Sequence, residues 1–301
     1  MPMDHPNHRS LHDTPTPRTG GLSIMLGAAC GWAISWPQPE QIPMLVLAIS
    51  LSAISFVDDF NGLPIAVRFC IQVASVAALL CFTPQIPGGL PGILVALVAL
   101  LWMVNLFNFM DGSDGLAGGM AVFGFGLYSF VAYDAGMVSF AMTSACLASA
   151  SAAFLWFNFY PARIFMGDAG SVPLGFLAAA MGLAGWQGEL WPATFPILVF
   201  SPFIVDATVT LLKRRLQGKN IWQAHREHYF QRLIQMGWGH RKTALMEYVL
   251  MLACGISALL IRHTSIKYQM IIIMGWTVVY FLLLYVIDKA WRTYTKEIAS
   301  T

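Results

Sequence analysis

The sequence predicts an all-α, polytopic helical membrane protein with about ten transmembrane helices, and three observations carry that prediction. Of its 301 residues, 57% are hydrophobic and 11% charged, with a mean hydropathy of +0.64. A soluble domain carries roughly a quarter charged residues. Apolar runs that approach or exceed the ~20 residues needed to cross a hydrocarbon core recur along the whole chain. The cations, finally, fall in alternate polar breaks between those runs, which is the signature of a fixed membrane topology.

Taken in order, the runs lie at about 20–36, 43–57, 66–82, 90–108, 116–133, 138–157, 171–186, 192–212, 244–262 and 268–288, the second being short. Backbone groups in lipid find no water to bond, so each run is read as a helix. The polar, Pro-rich segment 1–19 shows no cleavable signal-peptide pattern and is placed in the cytoplasm. Counting spans from there puts segments 58–66, 109–115, 158–170 and 213–243, and the C-terminus from 289, on the same side. Of the 17 Lys and Arg residues, only Arg262 and Lys267 then fall outside. The outer connections, such as PQPEQIP and TPQIPGGLP, are short and Pro-rich. Segment 213–243 is the one sizeable soluble element, basic and expected to be partly helical. Five cysteines (Cys30, Cys70, Cys81, Cys146, Cys254) lie within spans without C-x-x-C spacing and read as buried small hydrophobes. No repeat or low-complexity tract divides the chain, so 1–301 reads as one integral domain. A net charge of +2 gives no nucleic-acid signature.

Carboxylates are scarce in so apolar a chain, and three inner breaks hold five aspartates: FVDDFNGLP, NFMDGSDGLAGG and IFMGDAGS. Asp58 and Asp59 repel one another at a helix end. Beside a divalent cation one could ligate and the other act as a base; alone they would merely mark a terminus facing water. Asp111 and Asp114 stand three apart and would share a helical face if the turn wound, with glycines that permit close approach to a phosphate. Asp114 and Asp168 could each instead be an ordinary N-cap. A glycine-flanked Asp168 near the aromatic Phe165 suits a metal–diphosphate site with a stacking ring. Oxygen ligands shared with substrate phosphates are what Mg²⁺ prefers. His225 and His228, at i and i+3 in HREH, lack a third soft ligand for Zn²⁺; with Arg226 and Arg232 they suit phosphate or sugar oxygens, or anionic headgroups. Lys213, Arg214 and Arg215 read as a membrane-edge anchor. Asp206, near the inner end of its span, is expected to pair with a neighbouring basic residue.

In this order HPNHRSLHDTPTPRTGG at 5–21, VDDFNGLPIAVRF, NFMDGSDGLAGG, FNFYPARIFMGDAGS and HREHYFQRL resemble the polyprenyl-phosphate N-acetylhexosamine-1-phosphate transferases, a superfamily that includes the MraY and WecA enzymes. The HREH and PTPRTGG forms resemble the WecA/WbpL branch of glycosyltransferase family 4. The resemblance implies that a cytoplasmic UDP-N-acetylhexosamine gives its sugar-1-phosphate to undecaprenyl phosphate. UMP is released, and a lipid-linked glycan such as O-antigen is begun. It implies Mg²⁺, with Mn²⁺ as a substitute, a homodimer as a candidate assembly, and a site on the cytoplasmic face of a bacterial inner membrane. Asp168 and Asp59 match the family's metal side, and Asp58 and Asp59 the attacking phosphate. Asn108, Asp114 and Asn158 match the nucleotide side, with Phe165 as the uracil-stacking ring and His225, Arg226 and His228 holding the sugar-diphosphate. Asp58, Asp59, Asp114 and Asp168 are thus the expected catalytic set, with Asp111 divided between site and scaffold. Family members carry a further membrane helix ahead of the segment matching 5–21; here Met1 stands almost on that motif, so a shortened start or an absent helix is expected.

Two other readings compete. A transporter would use intramembrane polar residues as a path, but the polar residues here gather at one face. A CDP-alcohol phosphotransferase wants Ala-Arg after its first Asp-Gly, which DGSDGLAGG lacks.

Overall fold

The computed structural model describes residues 3–4, 6, 11, 14–83, 86–220, 223 and 225–300. Most of the motif segment 5–13 therefore lies outside the described residues, as do residues 221, 222 and 224 of the basic loop. What is described is nearly all helix: α1 (Gly20–Ser35), α2 (Ile42–Asn61), α3 (Ile65–Phe82), α4 (Gly89–Met110), α5 (Leu116–Asp134), α6 (Val138–Asn158), α7 (Asp168–Gln187), α8 (Thr194–Val199), α9 (Ser201–Leu216), α10 (Tyr229–Leu233), α11 (Gly239–Ile261) and α12 (Ile266–Ser300). A two-residue antiparallel bridge, Met3–Asp4 with Thr16–Pro17, precedes them.

Among the described residues eight helices are long and apolar enough to cross a membrane, counting α10 and α11 as one continuous element. α1 is apolar but only 16 residues long. The run expected as one span at 192–212 is two helices, α8 and α9, and the reason is local. Pro202 has no N–H to give the carbonyl four residues back, and the Ser201 hydroxyl serves that Leu198 carbonyl instead at 2.7 Å. Basic segment 213–243 is partly helical as expected, through the end of α9, α10, a π-wound turn at Ile234–Trp238 and the start of α11.

α7 is the central helix: 78% of its apolar window is buried, against 11% for α3 and 6% for α12, which face outward. α2 and α4 flank α7, while α1 and α5 both pack on α6. Pro173 lies inside α7 and leaves the Ala169 carbonyl without its helical donor. Ser52 of α2 donates to it at 2.7 Å, fully out of solvent, and this bond locks α2 to α7. α1 crosses the start of α7 where Gly21 meets Gly170; a Cβ at Gly21 would stand 2.1 Å from the Gly170 nitrogen. With no hydrophobic drive between helices in lipid, such close approaches and interhelical hydrogen bonds hold the bundle. Buried aromatic rings fill its core, including Phe107, Phe125, Tyr128, Phe176 and Phe203. The cysteines do not follow expectation. Only Cys254 is buried, whereas Cys30, Cys70 and Cys81 are exposed on outward helix faces, where an apolar thiol is at home in lipid.

Each polar break that the charge pattern puts on one side meets the others at one end of the bundle. Segment 164–166 runs beside 17–21 through backbone bonds from Phe165 N–H to Pro17 O (2.8 Å), Gly20 N–H to Phe165 O (2.9 Å) and Gly21 N–H to Met166 O (2.8 Å). At the opposite end Arg262 pairs with Asp134.

Candidate active site

The aspartates reach one place because α2 ends, α3 begins and α7 begins there. α2 closes at Gly62 (φ 66°), whose N–H bonds Asp58 O at 2.8 Å. The turn that follows folds Leu63 N–H onto Asp58 Oδ1. Arg68, one turn into α3, then puts Nη1 at 3.4 Å from Asp58 Oδ2 and 3.1 Å from Asp168 Oδ2. Asn108, from the last turn of α4, donates Nδ2 to Asp168 Oδ1 (2.8 Å) and lies 2.9 Å from Ser171 Oγ. Asp168 is thus held by α3 and α4. It is not an N-cap: that position is Gly167, and no side chain caps the helix.

Asp59 is different. Its Oδ2 is buried with no hydrogen-bond partner. The charges around it are Asp168, Arg18 and Asp58, and the Ala169 N–H faces the same carboxylate. Gly167 (φ 69°) passes so close that a Cβ there would sit 3.1 Å from Asp59 Oδ2. A buried carboxylate oxygen without a donor is costly and is what a hard cation would satisfy. Among the described residues no group of three or more His, Cys, Asp or Glu side chains is placed to hold a metal. The unpartnered Asp59 oxygen beside Asp168 fits an ion that takes one or two carboxylates and would complete its shell with water and phosphate oxygens.

These groups open on a cavity of about 910 Å³. Arg18, Asp58, Asp59, Arg68, Asn108, Asp168, His225 and His228 line its polar part; Leu51, Ile54, Phe69, Ile71 and Leu211, further into the helices, line an apolar part. One cavity thus offers charge at the bundle end and hydrocarbon within it.

The histidine loop is pinned from below. Asp206, buried in α9, accepts from His228 Nδ1 (3.1 Å) and from the Tyr229 and Phe230 N–H groups (3.0 Å each). It thereby pairs with a neighbouring basic residue, as expected. His225 stacks on His228 at 4.9 Å between ring centroids. Burial, with His228 and Arg214 adding positive charge, pushes the His225 pKa down to about 4, so at neutral pH it is an uncharged hydrogen-bonding ring. Arg226 is exposed and does not line the cavity. Arg214 and Lys219 both pair with Glu227 (2.6 and 3.1 Å).

The turn after α4 does not wind into helix, so Asp111 and Asp114 share no face. Asp111 points to the cluster: burial first, then Asp168, push its pKa well above the usual carboxylate range, with Arg18 and the Gly167 N–H opposing. Asp114 accepts from Ala162 N–H at 2.9 Å and lies 3.6 Å from His240 Nδ1; the α5 N-cap is Gly115, so Asp114 is no cap either. Asn158 accepts from Gly115 N–H and donates to Ile164 O, both at 2.9 Å. Asp114 and Asn158 are buried and tie the α4–α5 turn to the α6–α7 loop. Phe165 is half-buried on the segment beside Pro17 and Gly20, outside the lining of the cavity.

A family model described as glycosyl transferase family 4 matches residues 42–185, the stretch from α2 to α7 that carries every aspartate of the cluster. A probable undecaprenyl-phosphate N-acetylglucosaminyl 1-phosphate transferase of Bacillus subtilis (strain 168) is 30% identical over 288 residues, covering 90% of this chain and 80% of that protein. The chain belongs to glycosyl transferase family 4. A phospho-N-acetylmuramoyl-pentapeptide-transferase of Shouchella clausii is 27% identical, covering 79% of this chain and 80% of that protein. An undecaprenyl-phosphate alpha-N-acetylglucosaminyl 1-phosphate transferase of Escherichia coli (strain K12) is 23% identical, covering 96% and 84%. The resemblance to the MraY and WecA superfamily thus holds for the chain as a whole.

In this family member, several contacts went unread in the sequence. Arg68 bridges Asp58 and Asp168, the second of them 100 residues away in the chain, Arg18 faces Asp59 and Asp111, and Ser171 meets Asn108. The available signal was a lone arginine one turn inside an otherwise apolar helix, where a charge needs a partner.

Proposed function

We propose that this multi-pass membrane protein transfers an N-acetylhexosamine-1-phosphate from a UDP-sugar to a polyprenyl phosphate, undecaprenyl phosphate by preference, releasing UMP and starting a cell-envelope glycan such as O-antigen. The observation that carries the reading is the single cavity that joins Asp58, Asp59, Asn108, Arg68 and Asp168 to an apolar wall. A lipid phosphate needs both surfaces at once: polar groups for its head and hydrocarbon for its chain. The names of the relatives support the same acceptor class and an N-acetylglucosamine-1-phosphate group.

In the reaction an oxygen of the lipid phosphate bonds the phosphorus that bears the sugar, while the bond from that phosphorus to the UMP oxygen breaks. Both reactants are anionic, so the chain's task is to place them and offset their repulsion. Asp59 and Asp168 would hold Mg²⁺, which when bound supplies charge stabilisation to the transferring phosphoryl group. Arg68 and Arg18 contribute fixed positive charge at the same mouth. Asn108 holds Asp168 in place from α4. Asp58 is held by Leu63 N–H and Arg68 beside Asp59, and one of these two carboxylates would assist the attacking phosphate in one displacement. The charge pattern supports a cytoplasm-facing site, and the bacterial sources of the relatives support a bacterial inner membrane as its setting.

A panel of UDP-sugars, incubated with purified protein, Mg²⁺ and undecaprenyl phosphate, tests the reading. The expected result is UMP and a lipid diphosphate sugar with one or a few N-acetylated donors. No UMP with any donor would remove it. A phosphosugar attached to the enzyme in the absence of lipid acceptor would replace the single displacement with a covalent route.

A further inference from the structure

Asp206 is 5% exposed and takes no part in the transfer chemistry described above. Its carboxylate nevertheless accepts four hydrogen bonds. Oδ1 receives His228 Nδ1 (3.1 Å), the Tyr229 N–H (3.0 Å) and the Thr210 hydroxyl (3.1 Å); Oδ2 receives the Phe230 N–H (3.0 Å). Two of these donors belong to the first turn of α10, whose N–H groups have no partner within their own helix. A buried acid on α9 therefore caps α10 from outside. In the same act it holds the ring of the residue just before that helix.

The consequence for His228 is chemical. An ionised carboxylate only accepts, so the hydrogen between the two residues sits on Nδ1, and Nε2 is the nitrogen left for a ligand. The ring is also held on its faces, by His225 at 4.9 Å, Phe230 at 5.9 Å and Phe109 at 6.2 Å between centroids. Gln231 Oε1 accepts the His228 backbone N–H at 3.1 Å. His228 lines the cavity beside Asp168 and Arg68. We propose that Asp206 is a positioning residue that holds a hydrogen of His228 on Nδ1 and fixes the orientation of the ring, so that Nε2 is presented to a hydrogen-bonding group of the sugar-diphosphate donor. The ligand in this inference rests on the transferase reading; the dyad itself does not.

Two readouts test it on the full-length protein in detergent. The first is the ¹⁵N spectrum of histidine-labelled protein, with His228→Gln identifying the His228 signals. The expected wild-type signature is a proton on Nδ1, and Asp206→Asn should move that signature, because an amide cannot serve the ring and both N–H donors alike. The second is steady-state UMP release. Asp206→Asn should raise the KM for the UDP-sugar about ten- to a hundred-fold, by analogy with the loss of a hydrogen-bond partner that orients a metal-binding histidine, with a smaller change in kcat. The double variant with His228→Gln should be no worse than His228→Gln alone. An unchanged His228 signature, an unchanged donor KM, or additive losses in the double variant would overturn the proposal. Should Asp206→Asn fail to fold, His228→Asn takes its place: its amide can still donate to Asp206 but does not reach the ligand, so it should fold and raise KM, and a wild-type KM would be contrary. If the wild-type protein releases no UMP at all, the transferase reading fails, and the ¹⁵N signature still decides the dyad.

Discussion

Asp59 Oδ2 and Arg68 are the two side-chain features on which the site turns. The first is a buried oxygen with nothing to bind; the second is a guanidinium shared by Asp58 and Asp168. Asp59→Asn and Asp168→Asn keep shape and remove charge. Each is expected to lose Mg²⁺-dependent UMP release by at least about a hundredfold, the scale of losing one electrostatic stabiliser, while size-exclusion profiles stay wild-type. His225 gives a pH prediction. Its folded pKa, about 4, lies below the ordinary 6.5, so between those values the unfolded chain binds more protons than the folded one. Its contribution to stability is complete above pH 6.5 and is lost as pH falls towards 4. His225→Gln should therefore flatten the fall in Tm over that window, and an unaltered slope would show that this ring is not held neutral. At this scale the sequence was informative about residue types and much less about partners. Asp58, Asp59, Asn108, Asp168, His225 and His228 do line one cavity. Asp114 and Asn158 instead bond loop backbone, and nothing in their spacing distinguishes a nucleotide contact from a brace between two turns.

Helices were legible where hydropathy alone decides them, and less so where backbone chemistry intervenes. Each apolar run became helix, most of them close to the expected bounds, although the last, expected at 268–288, continues to Ser300, and the run at 192–212 broke at Phe200 because Pro202 follows. Phe-Ser-Pro inside an apolar stretch was the signal for that break. Pro173 has the opposite outcome: α7 passes through it, since Ser52 supplies the donor that the Ala169 carbonyl lost. Ser52→Ala would leave that carbonyl buried and unserved, at a cost of about 1–3 kcal/mol. Thermal unfolding should show a lower Tm, accompanied by reduced UMP release because the same bond sets α2, with Asp58 and Asp59, against α7, with Asp168. A wild-type Tm would mean that the carbonyl finds another partner.

Across the whole molecule, charge distribution and helix geometry agree: the breaks rich in Lys and Arg meet at the end that holds the cavity, and the Arg262–Asp134 pair marks the other. That agreement was legible early, because topology depends on counting spans and cations and not on any single contact. The registry between distant segments was not, since bonds such as Asn108 to Asp168 and Arg68 to Asp168 join positions 60 and 100 residues apart. Trypsin should cut after exposed Lys219 in inside-out vesicles and leave it intact in right-side-out ones; the reverse would invert the placement of the site. The central claim is that one carboxylate cluster, completed by a divalent cation, joins a nucleotide sugar to a lipid phosphate. Its most direct test is UMP release by purified protein with UDP-N-acetylhexosamine, with and without polyprenyl phosphate, in EDTA and after Mg²⁺ is restored, for wild type and Asp59→Asn. The account predicts release only when acceptor, Mg²⁺ and Asp59 are all present. Release that persists in EDTA, or that is undiminished in Asp59→Asn, would contradict it.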